Sequence, residues 1–165
     1  MATDHSPKSV LAVGAHPDDI ELFCAGALAK YAQQGVKVSI AIATDGSAGH
    51  MIIPPKELAE IRRREAEKAA KIIGADFYWM GFVDEYLFED IETRLRFAEL
   101  IRKAKPDVIL THGPEDYHPD HRTVSRLMFD ATGGAHTDTS NVYGVADLEG
   151  VSMVAVMNRP ELFAS

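Results

Sequence analysis

Apolar positions along the chain switch repeatedly between two periods. Ser9 to Ala15 (SVLAVGA) is a nearly continuous apolar run closing on small residues, the pattern of a strand covered on both faces. Ile20, Phe23, Cys24, Ala27, Leu28 and Tyr31 then recur at helical spacing along one face, and Gly35 supplies a stop. Val36 to Ala43 (VKVSIAIA) returns to alternation, with Val36, Val38, Ile40 and Ile42 on one side of a second strand. Thr44 to Pro55 is rich in turn residues and ends in a rigid Pro54-Pro55 entry to a helix over Lys56 to Ile73. That helix carries an apolar stripe of Leu58, Ile61, Ala69, Ile72 and Ile73. A brief aromatic strand (Asp76 to Met80), a loop (Gly81 to Asp90) and a third helix (Ile91 to Lys105, stopped by Pro106) follow. Asp107 to Thr111 reads as another buried strand, and a last clear helix runs from about Asp120 to Ala131. Thr132 to Gly150 lacks periodicity, whereas Val151 to Met157 (VSMVAVM) suits one more strand.

This alternation predicts an α/β fold, a Rossmann-like three-layer sandwich with a mostly parallel sheet, because parallel neighbours need crossover helices. Ligands of such sheets bind beyond the carboxyl ends of the strands. The site is therefore expected among Ala15–Asp19, Thr44–His50, Gly81–Asp84 and His112–His121. Residues 1–165 read as one domain, with 132–165 as an atypical C-terminal region.

Composition narrows the function classes. The chain has 165 residues with 25 acidic against 17 basic side chains, a formal charge of −8. An acidic surface has no general attraction for phosphate backbones or anionic lipid, so neither nucleic acid nor a membrane is an expected partner. Cys24 is the only cysteine, which excludes an internal disulfide and any multi-cysteine zinc cluster. The first residues lack a basic-then-apolar leader, and no apolar run reaches the ~18 residues of a membrane span. A cytoplasmic placement is the expectation.

Two segments carry the chemistry. His16-Pro17-Asp18-Asp19 follows the first strand, and His118-Pro119-Asp120-His121 follows the fourth. Pro17 keeps His16 extended, so its ring can project past the sheet edge. An aspartate pair at a helix start also serves as an N-cap, and two histidines three apart also suit a solvated helix start. Both segments repeat His-Pro-Asp at βα junctions on one rim, however, and His with Asp ligands suit a catalytic zinc site with a position left open. Zinc held by two neutral imidazoles and one carboxylate keeps a positive charge that acidifies water toward a pKa of ~7 and polarises a carbonyl. Asp18 and Asp19 are adjacent, so they point in different directions, and one can bind metal while the other acts as a base.

GAHPDDIELFCAGALAKYAQQG, then TDGSAG, RRREAEKAAKIIG and finally HPDH resemble the PIG-L/LmbE-like family of zinc-dependent N-acetylglucosamine deacetylases, over roughly residues 9 to 131. The resemblance implies a hydrolase that removes an acetyl group from an N-acetylglucosamine-type sugar or sugar conjugate. It implies that His16, Asp19 and His121 hold Zn²⁺ or another divalent metal, with Asp18 as general base. His118 is then the group that stabilises the oxyanion or protonates the leaving amine, and Asp120 orients a ligand. Arg62 and Asp84 fall at positions that lie near the substrate in relatives. For Arg62 and Glu65, an i,i+3 surface pair is an equally good reading.

The sequence departs from the family at two places. Ile20 stands where relatives usually carry Glu, and Glu21 follows it. About 34 residues remain after Ala131, fewer than the family's usual pocket-closing region, so the expectation is a short variant, a truncated or incorrectly terminated product, or a site completed by a homo-oligomer; the alternative function is a metal-binding remnant with little catalysis. A phosphoacceptor domain would use Mg²⁺ and oxygen ligands without needing His16, His118 and His121. The first βα turn lacks the G-x-G-x-x-G of dinucleotide sites, and no G-x-S-x-G elbow is present. His50 is expected in solvent and Cys24 in inert core.

Overall fold

The computed structural model describes residues 7–134, 145–146 and 153–157. The element order is β1 (Ser9–Gly14), α1 (Asp19–Phe23), α2 (Ala25–Gln33), β2 (Lys37–Thr44), α3 (Pro55–Ile72), β3 (Asp76–Phe82), α4 (Ile91–Ala104), β4 (Val108–His112), α5 (Pro119–Gly134), β5 (Val145–Ala146) and β6 (Met153–Met157). The strands form one sheet in the order β3-β2-β1-β4-β6-β5. β3, β2, β1 and β4 are parallel, in register Val10↔Val38 and Val10↔Val108, whereas β6 runs antiparallel to β4 and β5 antiparallel to β6. The last strand expected from the sequence is thus present as β6. The rest of 132–165 lies largely outside the described residues.

Alternate residues of the central strands enter two cores. Leu11, Val13, Ala41 and Ile109 pack with Phe97 and Ile101 of α4 and with Val124, Leu127 and Met128 of α5. Val10, Ala12, Ile40 and Ile42 pack on the other face with Ile20, Leu28, Ala66 and Ala70 from α1, α2 and α3. Three layers result. Burial on both faces explains why β1 reads as a continuous apolar run, and why Ser39, on the polar-looking side of β2, is only 2% exposed.

Three expectations need correction. The single helix after β1 is two, because the backbone breaks at Cys24 (φ −141°, ψ 2°); its N–H still bonds Ile20 O, and α2 restarts from Cys24 O. The break aims Ile20 and Leu28 separately at the sheet. The stripe drawn along α3 is also displaced: Ile72 is 85% exposed, whereas Ala66 and Ala70 are buried. Small side chains let that helix approach the sheet closely. Finally, β3 continues through Gly81 to Phe82, carrying its chain end to the rim of the sheet. α4 begins as the sequence suggests, its N-cap Asp90 accepting the Thr93 N–H at 2.7 Å. Cys24 is indeed buried, and burial pushes its thiol up to about 12. No helix among the described residues is long and apolar enough to cross a membrane.

Candidate metal centre

The turn after β1 is shaped by its own sequence. A Cβ at Gly14 would lie 3.0 Å from Asp19 Cβ, so the missing side chain lets Asp19 fold back over the strand end. There Asp19 Oδ2 accepts the His16 N–H at 2.7 Å, while the Asp18 and Asp19 N–H groups bond His16 O. Asp18 occupies the N-cap of α1 but makes no side-chain capping bond. Helix capping therefore does not account for the aspartate pair. Gly46 (φ +65°) admits the neighbouring loop, since a Cβ there would meet Pro17 Cδ and Cγ at 2.9 Å. Thr44 Oγ1 ties β2 to Ala15 O at 2.8 Å, and the Asp45 N–H bonds Phe82 O at 2.8 Å.

These turns bring the two His-Pro-Asp segments together. His16 Nδ1 lies 3.1 Å from His121 Nε2, across 105 residues of sequence. His121 Nε2 is 3.3 Å from Asp19 Oδ1, and His16 Nδ1 is 3.5 Å from Asp19 Oδ2. The other ring nitrogen of His16 faces Asp84 Oδ1 at 3.2 Å and Asp120 Oδ2 at 3.3 Å. His112, fully buried, stacks on His121 (centroids 3.8 Å apart), and its Nε2 accepts the Ala15 N–H at 2.9 Å. Asp116 Oδ1 lies 3.1 Å from His121 Nδ1 and accepts the His118 N–H.

Charge in this cluster is coupled. Burial opposes charge on His16, but Asp120, Asp19 and Asp84 outweigh it and hold the imidazolium up to about 12. Burial likewise resists ionisation of Asp19, yet His112, His121 and His16 drive its carboxyl well below the usual range. Asp84 and Asp116 are depressed in the same way, against their own burial. His121 is raised by Asp19 despite burial, whereas burial wins at His112 and lowers it.

The donor set fits a divalent cation. Ligands bound at ~2 Å in a tetrahedron lie about 3.3 Å apart, close to the spacing of His121 Nε2 from both His16 Nδ1 and Asp19 Oδ1, while His16 Nδ1 lies 3.5 Å from the other Asp19 oxygen. His16 Nδ1 and His121 Nε2 face each other beside a carboxylate, an arrangement of converging acceptors once the protons leave. Overlapping groups, His16 with His118 and His121, Asp19 with His112 and His121, and His16 with Asp84 and Asp120, also bring donors within 4.8 Å. Asp84 Oδ1, His112 Nδ1 and His121 Nδ1 are buried without an aligned hydrogen-bond partner among the described residues.

The remaining candidates surround this cluster. Asp18 turns away from it, half exposed, and Oδ2 accepts Arg62 Nη2–H at 2.7 Å; Arg62 Nη1 reaches Glu65 Oε2 at 3.3 Å. Arg62 is thus paired both with Glu65 on its own helix and with Asp18. Asp84 is 5% exposed, and its Oδ2 accepts the Ala48 N–H at 2.9 Å. His118 Nδ1 accepts the Asp120 N–H at 3.2 Å, which leaves the ring proton on Nε2, 3.3 Å from Glu85 Oε1. Asp120 Oδ2 also accepts the Glu85 N–H at 2.9 Å. Asp18, Arg62, Asp84, Glu85, His118 and His50 line one cavity of about 350 Å³ that His16 also reaches.

Sequence reading placed His112 on the rim without giving it a role, and gave none to Asp116 or Glu85. His112 and Asp116 lie within the strand-end segment HGPEDYHPDH, so their position on the rim was a signal. Glu85, a non-glycine at φ +67°, gave none. His50, expected in solvent, is exposed but borders the cavity.

The sequence profile of the PIG-L family, described as GlcNAc-PI de-N-acetylase, matches residues 11–132. The chain belongs to the PIG-L family. Among curated relatives it is 29% identical to a mycothiol S-conjugate amidase of Streptomyces coelicolor, over 83% of this chain and 57% of that one. It is 32% identical to a diacetylchitobiose deacetylase of Thermococcus kodakarensis, over 78% and 50%. Its fold superposes on N,N'-diacetylchitobiose deacetylase from Pyrococcus horikoshii with a TM-score of 0.73 at 32% identity, covering 78% of this chain and 50% of that one. It matches 4-carboxy-2-hydroxymuconate hydratase from Pseudomonas putida equally well (TM-score 0.74, 29% identity, 79% and 58% covered). This PIG-L chain spans about half the length of the curated relatives it matches.

Proposed function

We propose that this PIG-L chain is a zinc-dependent N-deacetylase that removes acetyl from an N-acetylglucosamine-type sugar or conjugate. The observation that carries the reading is the meeting of His16, Asp19 and His121 beside an aspartate, Asp18, that stays out of the cluster. Hydrogen bonding supports those three over the overlapping donor groups. His112 Nε2 already accepts a backbone N–H, His118 Nδ1 accepts another, and Asp120 with Asp84 occupies the second nitrogen of His16. That leaves His16 Nδ1, His121 Nε2 and Asp19 Oδ1 as ligand atoms, with Asp120 orienting His16. A divalent ion there supplies a Lewis acid that polarises the acetamide carbonyl and acidifies water.

Asp18 lines the cavity and takes a proton from the attacking water as general base. Its partner Arg62 keeps the carboxylate in one orientation. His118, with its proton on Nε2, donates a hydrogen bond to the oxyanion, and the proton that Asp18 took from water passes to the leaving nitrogen, releasing acetate and a free amine. Arg62 and Asp84 are the wall residues that meet the sugar.

The hydratase relative raises a second chemistry at the same centre. Its substrate is by name a carboxylated muconate. Apart from the His16 imidazolium, the cavity sets Asp18, Asp84 and Glu85 against one guanidinium already paired to Asp18 and Glu65, a wall that disfavours a polyanion. An uncharged acetylated sugar meets no such penalty. The test is acetate release from N-acetylglucosamine, N,N'-diacetylchitobiose and N-acetylglucosaminyl-inositol by zinc-loaded protein, with Asp18→Ala as control. Zinc bound near one per chain with no acetate from any of them would make the chain a metal-binding remnant and overturn the proposal.

A further inference from the structure

His50 is tied down in an unusual way for an exposed loop histidine. Its Nδ1 accepts two main-chain N–H groups, from Ile52 at 3.1 Å and Ile53 at 3.0 Å. A ring nitrogen that accepts two donors carries no proton, so the ring's proton is on Nε2. That Nε2–H has no partner among the described residues. His50 also lines the cavity bordered by His16, Asp18, Arg62 and His118. Of the other side-chain donors lining it, Arg62 is occupied by Asp18 and Glu65 and His118 Nε2 faces Glu85, while Leu58 is apolar.

From this arrangement we infer that His50 is a substrate-binding residue, donating from Nε2 to an uncharged oxygen of the sugar, a hydroxyl or ring ether. The inference deepens the deacetylase reading and rests on it for the identity of the ligand. An uncharged acceptor is required because the neutral ring brings no positive charge, while Asp18, Asp84 and Glu85 border the cavity and disfavour a phosphate or carboxylate. The turn that fixes the ring also removes the entropy cost of ordering it on binding.

The test uses zinc-loaded protein labelled with ¹⁵N-histidine, with His50 assigned by difference from His50→Ala. N-acetylglucosamine is the probe, and N-acetylglucosamine 6-phosphate the anionic comparison. The His50 signals of the free protein report the Nε2–H tautomer, and N-acetylglucosamine shifts Nε2 saturably. Both His50→Ala and His50→Asn weaken its binding by about 3- to 10-fold, the loss of one neutral hydrogen bond. The asparagine variant separates donor from loop pin, because its Oδ1 can accept the same backbone N–H groups while its short amide cannot reach the sugar. Wild-type affinity in His50→Asn, an unmoved Nε2, or a 6-phosphate that binds as tightly as the parent sugar would each overturn the inference. A saturable shift without acetate release would sustain it and defeat the deacetylase reading. Acetate release without a shift would do the reverse.

Discussion

Neighbouring aspartates with opposite fates offer the sharpest perturbation. Asp18 is half exposed and its one side-chain partner is Arg62, itself 30% exposed, so losing that ion pair costs no more than ~1 kcal/mol. Asp19 is 4% exposed and within 3.3 Å of the His16 backbone, His112 and His121. Removing its charge strands buried imidazoles and costs about 3–5 kcal/mol. Asp18→Asn should therefore keep the melting temperature and zinc stoichiometry of the parent. Losing the general base should lower kcat by ~10²–10⁴, equivalent to about 2.7–5.4 kcal/mol of barrier. Asp19→Asn should lose metal and melt well below the parent. The assay runs zinc analysis, thermal unfolding and acetate release on both variants. Loss of zinc in Asp18→Asn, or its retention in Asp19→Asn, would show that the two roles have been exchanged.

Four further outcomes follow from the same geometry. Zinc must displace the proton that the carboxylates hold on His16, whose pKa stands at about 12, so chelator competition should give an affinity rising about tenfold from pH 6.5 to 7.5; a flat profile would contradict the assignment of His16 as ligand. The metal-free protein should lose stability as pH falls below about 3.8, because Asp19, Asp84 and Asp116 have depressed folded values and their contribution is complete only above the ordinary one. His16 has the opposite sign: its contribution is complete below 6.5 and fades as pH climbs toward 12, so a melting-temperature maximum between these limits is expected. Glu85→Gly relieves the positive φ and should hold or raise the melting temperature while altering turnover through His118, whereas a melting temperature lowered by several degrees would mean that the carboxylate contact outweighs the strain. Phe97→Ala, emptying a fully buried position between α4 and the sheet, should cost about 3–5 kcal/mol in denaturant unfolding without changing zinc affinity.

What the amino-acid sequence determined was the sheet, its helical layers and the edge on which chemistry would gather. Parallel strands buried on both faces must be apolar throughout, and crossover helices must change the period, so both are written locally. His16-Pro17-Asp18-Asp19 and His118-Pro119-Asp120-His121 were legible for the same reason: each occupies one strand-to-helix turn. The break at Cys24 and the exposure of Ile72 were not, because they depend on how closely each helix can approach the sheet, which Ala66 and Ala70 settle by being small. Only the tertiary structure decided which nitrogen of each histidine is free. Backbone N–H groups of Ala15, Ile52 and Ile53 in two loops, and of Asp120 in the first turn of α5, cap His112, His50 and His118 and leave His16 and His121 facing Asp19. Composition and spacing carry the kinds of ligand present. The direction in which each donor faces is set by hydrogen bonds: His50 and His118 are fixed by N–H groups two or three residues on, whereas His112 is fixed by Ala15 and His16 meets His121 only when the sheet forms.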